Sequence, residues 1–334
     1  MPEVTIADVR RFLLPLQGRV VDYKYLRAEM RIDPNGKSWD NIRSIMFELA
    51  IEKLVKPSGK RDGVFKVIKQ VGPVKVYGRE DNTGEFGLMF PRDFDTGMEI
   101  EIADHLVIRS GDLILLAGVS NYGKTAIVVN FLAENVDKHQ CALLGNEFTT
   151  LDNKPTPRFL NRLKAIDWVQ WADAEGNDKF ELLPVREDFE EHVRDGKVNM
   201  IDWINISSGE HYLISGVLER IKHGVGGGIA VAVIQKEESR ELGRGAGYTR
   251  DFADVYLVID KHGEFESRLT VGKVKESKGS IIGRSWAFRI TEGVKLHDIR
   301  EVVKCSKCYG KGWVRKGQSS APCEECFRKG YVDK

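Results

Sequence analysis

Eight residues constrain this chain more than any others: Gly118-Val119-Ser120-Asn121-Tyr122-Gly123-Lys124-Thr125. Two glycines, then a lysine and a hydroxyl residue, fit the phosphate-binding pattern. The apolar run Leu113 to Ala117 precedes them as a buried parallel strand would, and apolar residues at helical spacing follow from Ala126 to Val136. Strand, glycine loop and helix start together form a nest of backbone N–H groups where the helix dipole favours a phosphate. The stretch from Gly118 to Thr125 is therefore read as a nucleotide site, with an ordinary strand-to-helix turn as the bland alternative.

From Gly97 to about Ile290, apolar strands alternate with helical segments, which is the α/β signature. The strands expected are Leu113–Ala117, Cys141–Leu144, Val198–Ile201, Ile229–Ile234, Val255–Ile259, Arg268–Val274 and Ser285–Ile290. Helices are expected at Lys124–Val136, Thr156–Ala165, Glu187–Asp195 and Glu210–His223, the last ended by a glycine run. Three of these strand ends carry chemistry. Glu147 follows the strand at Cys141–Leu144 and could polarise an attacking water, unless it is a plain surface glutamate. Asp202 ends a strand whose apolar run Asn199 interrupts; there it could hold Mg²⁺ beside Thr125. Gln235, at the tip of Ile229–Ile234, could sense a γ-phosphate. The loop after it, 236–250, carries Lys236, Arg240, Arg244 and Arg250 among glycines; it is either a nucleic-acid track or a mobile surface loop.

These residues carry a resemblance. Gly123-Lys124-Thr125-Ala126 with Asn130 and Ala133, then Glu147, Asp202, Gln235 and Ala253-Asp254, resemble the DnaB-type replicative helicases of the RecA-like P-loop ATPase superfamily, over about residues 95–290. The resemblance implies a RecA-like core with ATP and Mg²⁺ bound between subunits of a ring, a hexamer, that moves on single-stranded DNA. It also implies a basic finger reaching a neighbour's ATP. Lys273 and Lys275, followed by Gly279 and Gly283, occupy that place, with Arg284 as a rival and solvated lysines as the plain reading. The family usually has Lys-x-Arg where Lys275 stands. A lysine is a point charge without the planar fork. The helical N-terminal domain of the bacterial enzymes is missing here, as in a virus-encoded relative rather than a chromosomal copy.

Residues 1–70 read as three short helices and a hairpin, resembling a winged helix-turn-helix. Ser38 is the expected cap of the third helix, with Ile42, Ile45, Met46 and Leu49 on one face. Lys37, Asn41, Arg43, Ser44, Lys60 and Arg61 would touch duplex DNA, or the module docks protein instead. Residues 71–96 read as a glycine- and proline-rich linker, 97–298 as the ATPase and 299–334 as a separate module. The net charge of +1 hides basic ends, +5 over 1–70 and +4 over 301–334, around a centre at −8. Such ends suit nucleic-acid contacts.

Of five cysteines, Cys141 falls in a predicted strand and four form two CxxC pairs, Cys305/Cys308 and Cys323/Cys326, with 14 residues between the pairs. Two CxxC turns close a tetrahedral thiolate site, so structural Zn²⁺ is expected. The first pair, followed by glycines, resembles half of a DnaJ cysteine-rich repeat; Arg328 breaks the second half. Met1-Pro2-Glu3-Val4 lacks the pattern of a signal peptide and no apolar run spans a membrane, so a cytoplasmic protein without a membrane partner is expected. The fold expected is thus α/β, a RecA-like P-loop ATPase core with a winged-helix domain before it and a small zinc module after it. Function is read as an ATP-driven DNA translocase or helicase in DNA replication. The rivals are a RecA-like recombinase or recombination mediator, and a DNA-binding regulator or assembly factor that uses ATP as a switch.

Overall fold

The structure is a computed structural model that describes the chain apart from residues 1–3, 34–35, 59–61, 71, 74–83, 206–212, 239 and 317–318. It comprises two compact units, Met1–Asp81 and Asn82–Lys334.

The first unit runs α1 (Ile6–Leu13), β1 (Val20–Asp22), α2 (Tyr23–Glu29), α3 (Lys37–Ile51), β2 (Val55–Pro57) and β3 (Val64–Val67). Its three strands form an antiparallel sheet in the order β1-β3-β2. Thr5 and Asp8 form a capping box on α1, and Asp22 caps α2, which satisfies amides that the helix starts leave open. The α3 residues Ile42, Ile45, Met46 and Leu49 are buried with Val9, Leu13 and Val67, as their spacing predicts. The cap of α3 is Gly36, so Ser38 lies inside the helix rather than at its start. Strand β1 was not foreseen, because three residues are too few to show a period. Asn41, Arg43 and Ser44 lie exposed on α3. Lys60 and Arg61 fall outside the described residues.

The second unit continues with α4 (Ile102–His105), β4 (Leu113–Gly118), α5 (Lys124–Asn135), β5 (Cys141–Leu144), α6 (Pro157–Ala165), β6 (Phe180–Leu183), α7 (Phe189–His192) and β7 (Val198–Ile204). Then follow α8 (Ile214–Gly224), β8 (Ile229–Gln235), α9 (Gly247–Phe252), β9 (Val255–His262), β10 (Glu266–Val274), β11 (Ser285–Thr291), β12 (Lys295–Lys304), β13 (Trp313–Lys316), β14 (Ser319–Pro322) and β15 (Tyr331–Asp333). One ten-stranded sheet has the order β15-β12-β11-β10-β9-β4-β8-β7-β5-β6. It is parallel from β9 to β6 and antiparallel from β9 out to β15. The fold is α/β, as expected.

Parallel strands are buried on both faces, so they read as unbroken apolar runs. Strand β4 does so, and its side chains alternate between two cores. Ile114 and Leu116 pack with the α5 residues Ile127, Val128 and Phe131. Leu113, Leu115 and Ala117 pack with the α8 residues Leu218 and Ile221. Asn199, the polar break in β7, is fully buried and satisfied: its Oδ1 accepts from the Arg194 amide at 2.7 Å, and its Nδ2 donates to the Arg194 carbonyl at 2.8 Å.

Three boundaries differ from the expected ones. Residues 84–96 are packed chain, not free linker: Leu88 and Phe90 are buried in the main core, and the Phe86 amide donates to the Ile108 carbonyl at 2.7 Å. Strand β12 runs through the expected boundary at 299, and β15 of the cysteine module pairs with it. The helix expected over 187–195 is a single turn at Phe189–His192, preceded by Asp188 in the left-handed conformation. No helix among the described residues is long and apolar enough to cross a membrane.

Candidate nucleotide site and cysteine centre

Strand β4 ends at Gly118 and α5 starts at Lys124, so the glycine loop closes the turn between them. Gly123 caps α5 with φ +95°, and a side chain there would run into Ile290. Only glycine meets both demands without strain. The Lys124 ammonium donates to the Val119 carbonyl at 2.7 Å, across the mouth of its own loop. Burial pushes the Lys124 pKa down, while Asp202 and Glu147 pull it up.

Asp202 lies inside β7 rather than at its end. Pairing of β7 with β8 slips between Ile201 and Ile204, so a bulge sits at Asp202, and such a bulge re-aims side chains. The carboxyl is 1% exposed. Burial pushes its pKa up to about 6, against the Thr125 hydroxyl and Lys124, which pull it down. Its Oδ2 has no hydrogen-bond partner among the described residues. An orphaned buried carboxylate oxygen beside a threonine hydroxyl and the phosphate loop fits a Mg²⁺ ligand set of hard oxygens.

These groups share one cavity of about 660 Å³, lined by Ser120, Lys124, Thr125, Glu147, Asp202, Trp203 and Gln235. The Trp203 indole donates to Glu147 Oε1 at 3.4 Å, and Gln235 Nε2 donates to Ser120 Oγ at 2.5 Å. Residues 117 positions apart in the chain, from Gly118 to Gln235, thus meet at neighbouring strand ends. Val119 and Tyr122 belong to the same loop, and the Tyr122 carbonyl accepts from Ser267 at 2.9 Å. Asn121 adopts φ +68°.

Two lining residues, Arg158 and Arg162 of α6, were missed by the sequence reading, and a third, Arg244, was read as part of a nucleic-acid track and not as lining of this cavity. None of the three guanidinium groups has an ion-pair or hydrogen-bond partner among the described residues. Arg158 and Arg162 stand four apart on a helix capped by Thr156, a spacing that puts both on one face. That spacing was the available signal. Arg244 had none, because loop 236–250 must fold back first. A bridge between Lys236 and Gly243 and the Arg244 amide on the Gln235 carbonyl, at 2.8 Å, bring it there. Lys236 is not free for nucleic acid: it is buried in an ion pair with Asp260 at 2.5 Å.

Lys273 and Lys275, expected as a finger toward a neighbouring subunit, lie away from this chain's own cavity. Lys275 Nζ donates to Asp254 Oδ1 at 3.0 Å, and Asp254 also accepts from Lys222 and from the Leu113 amide. Lys273 Nζ donates to the carbonyls of Arg250 and Asp251 at 2.9 and 2.8 Å. Both sit where β4 begins, and the phosphate loop sits where it ends. Six strand residues separate the two ends by roughly 20 Å. Arg284 is held by Glu301 at 2.6 Å and Glu101 at 3.2 Å and lies over Trp286.

The four C-terminal cysteines converge. Cys305 and Cys323 Sγ are 3.8 Å apart, Cys308 and Cys326 Sγ 3.6 Å, and all four lie within 4.8 Å of one another. A ZnS₄ tetrahedron with Zn–S near 2.3 Å has edges of about 3.8 Å, so the set fits zinc. Amides of Gly312 and Gly330 donate to Cys308 and Cys326 Sγ at 3.3 and 3.2 Å, which favours thiolates. Cys141 stays buried in β5, its thiol pushed up to about 12 by burial.

No protein-family model matches the chain, and no curated protein matches it. Among solved structures it is similar to a KaiC-like protein of the archaeon Pyrococcus horikoshii OT3, with 17% identity and a TM-score of 0.42 over 57% of this chain and 89% of that chain. It is also similar to a RadB recombinase, with 15% identity and a TM-score of 0.40 over 57% of this chain and 92% of that chain. Neither likeness is close enough to say what this chain does.

Proposed function

We propose that this chain is an ATPase that drives movement along single-stranded DNA, a translocase or helicase of the DnaB-like kind in DNA replication. The observation that carries the reading is the shared cavity. A phosphate loop, two carboxylates of unlike exposure and a glutamine at a neighbouring strand tip are what phosphoryl transfer to water requires.

The roles follow from position. Lys124 Nζ exchanges the Val119 carbonyl for β- and γ-phosphate oxygens, and the amides of residues 118–125 hold the rest. Thr125 and Asp202 would hold Mg²⁺, which when bound would neutralise phosphate charge. Glu147, oriented by the Trp203 indole, takes the proton of the attacking water as the bond between the γ-phosphorus and the bridging oxygen breaks, leaving ADP and phosphate. Arg158, Arg162 and Arg244 face that cavity in the same subunit, and such unpaired cations stabilise charge on the transferred group. Gln235 bonds to Ser120 on one side and begins the loop to Arg244 on the other, so loss of the γ-phosphate is passed to loop 236–250. The first unit, with its exposed α3 face, is proposed as a winged helix that touches duplex DNA. The working assembly is proposed as a hexameric ring, and zinc as structural.

Two measurements test this. Lys124→Ala should abolish ATP hydrolysis; turnover at the wild-type rate would overturn the site. Wild-type protein with ATP should displace a strand from a forked duplex and form rings on single-stranded DNA in images. Filaments without displacement would favour a recombinase, and slow hydrolysis indifferent to DNA a switch.

A further inference from the structure

Both turns of the cysteine centre present an aromatic side chain to solvent at the same position, directly after the second cysteine of each pair. Tyr309 is 79% and Phe327 81% exposed. Each sits in the left-handed backbone region, Tyr309 at φ +53° and Phe327 at φ +48°. That region disfavours any side chain other than glycine, asparagine or aspartate, and exposure of a ring forfeits its burial. Folding of the turns needs neither feature, since a glycine would satisfy the backbone better. Cations flank both rings in the sequence, and Trp313 is a third, partly exposed ring of the module. Lys307 and Lys311 are exposed and without an ion pair among the described residues, and Arg328 lies over the Trp313 ring at 4.6 Å. Residues 301–334 carry +4. An open groove of about 470 Å³ joins Gly310 and Lys329 of the module to Tyr122 of the glycine loop, its lining mixing the cations Arg240 and Lys261 with the carboxylates of Glu238, Glu241 and Asp260.

We infer that the cysteine module is a stacking platform for single-stranded nucleic acid: Tyr309 and Phe327 stack on bases, while Lys307, Lys311 and Arg328 hold phosphates. Aromatic faces interleaved with cations are the pattern that grips a single strand without reading its sequence. A duplex keeps its bases stacked inside and offers the rings nothing, and a protein partner would favour an apolar surface without the flanking lysines. The groove carries the strand toward loop 236–250. The inference rests on the proposed action of the chain on nucleic acid, but it concerns a surface away from the nucleotide cavity.

The test uses full-length, zinc-loaded protein and labelled oligo-dT and oligo-rU of about 20 nucleotides, with a hairpin duplex as control. The pair Tyr309→Asn and Phe327→Asn keeps a residue that tolerates the left-handed backbone. It should lower single-strand affinity about 100-fold, roughly tenfold for each stacking ring. Zinc content, hydrolysis without nucleic acid and the slope of log K against log salt should not change, because no cation is removed. Lys311→Gln should instead flatten that slope by about 0.7. Tyr309→Trp should keep affinity and add a fluorescence signal that bound bases quench. Unchanged affinity of the asparagine pair, an equal loss on the duplex, or no added quenching in Tyr309→Trp would each overturn the platform. Wild-type protein that hydrolyses ATP but binds no oligonucleotide would overturn it too, leaving the nucleotide site standing. Oligonucleotide binding without hydrolysis would overturn the ATPase reading alone.

Discussion

Glu147 and Asp202 line the same cavity in opposite environments. Asp202 is sealed beneath Thr125 and Lys124, whereas Glu147 is exposed at the rim, its carboxylate accepting from the Trp203 indole. On the proposed reading, this difference in solvation separates the cation ligand from the group that meets water. Glu147→Gln should therefore leave ATP affinity within a few fold and lower hydrolysis about 10²-fold, measured by nucleotide binding beside steady-state turnover. Unchanged turnover would remove Glu147 from the mechanism. Arg162→Gln should act on the phosphates instead, raising KM and lowering kcat about tenfold together. His262 gives a residue-scale test of stability. It is 1% exposed, its Nδ1 has no hydrogen-bond partner among the described residues, and burial, helped by Lys329, pushes its pKa down to about 4. The unfolded chain thus binds the proton more readily. The stability His262 contributes is intact above about pH 6.5, is lost as the pH falls toward 4, and amounts to on the order of 3 kcal/mol. His262→Phe should flatten the pH dependence of the denaturation midpoint across that interval. An identical pH profile in the variant would refute it.

At the scale of elements, the last core strand and the cysteine module are one structure. Strand β12 pairs with β11 on one side and β15 on the other, Glu301 holds Arg284, and Lys334 reaches Glu301 at 2.6 Å. A cut after Glu301 would split β12, so the clean boundary falls after Lys304. Each chain should carry one zinc equivalent. Removal of zinc by a chelator should release the β13–β14 hairpin and β15, leaving β12 as an open edge strand. Amide exchange should then quicken at Val302 to Lys304 while the parallel strands β4, β7 and β8 keep their protection. Zinc-free protein with slow exchange at β12 and β15 would show that the metal is not what holds the edge.

The whole assembly is where Lys275 is decided. In its own chain it completes the ion-pair cluster on Asp254, and it stands at the far end of β4 from its own phosphate loop. The cluster predicts an anchor: Lys275→Ala should lower the unfolding temperature by a few degrees, on the order of 1 kcal/mol, and keep hydrolysis within about threefold. Loss of activity in Lys275→Ala, recovered on mixing with Lys124→Ala subunits after subunit exchange is shown, would instead place Lys275 in a neighbour's site.

Much of the chemistry was legible because it is local. The phosphate loop, the two CxxC turns and the apolar strands β4, β5, β7, β8 and β9 are each written in contiguous residues, where backbone geometry and burial depend on near neighbours. So the α/β class, Lys124, Thr125, Asp202, Glu147 and Gln235 and the four cysteines could be picked out from the sequence alone. What the tertiary structure decided is which distant residues meet. The order of strands carries Arg158, Arg162 and Arg244 to the phosphate loop, buries Lys236 against Asp260, ties Lys275 to Asp254 and sews β15 onto the main sheet. No window of sequence contains these pairings. A charged side chain that pairs in the fold looks the same in sequence as one left free for a ligand, and only the contacts that desolvate or neutralise it tell the two apart.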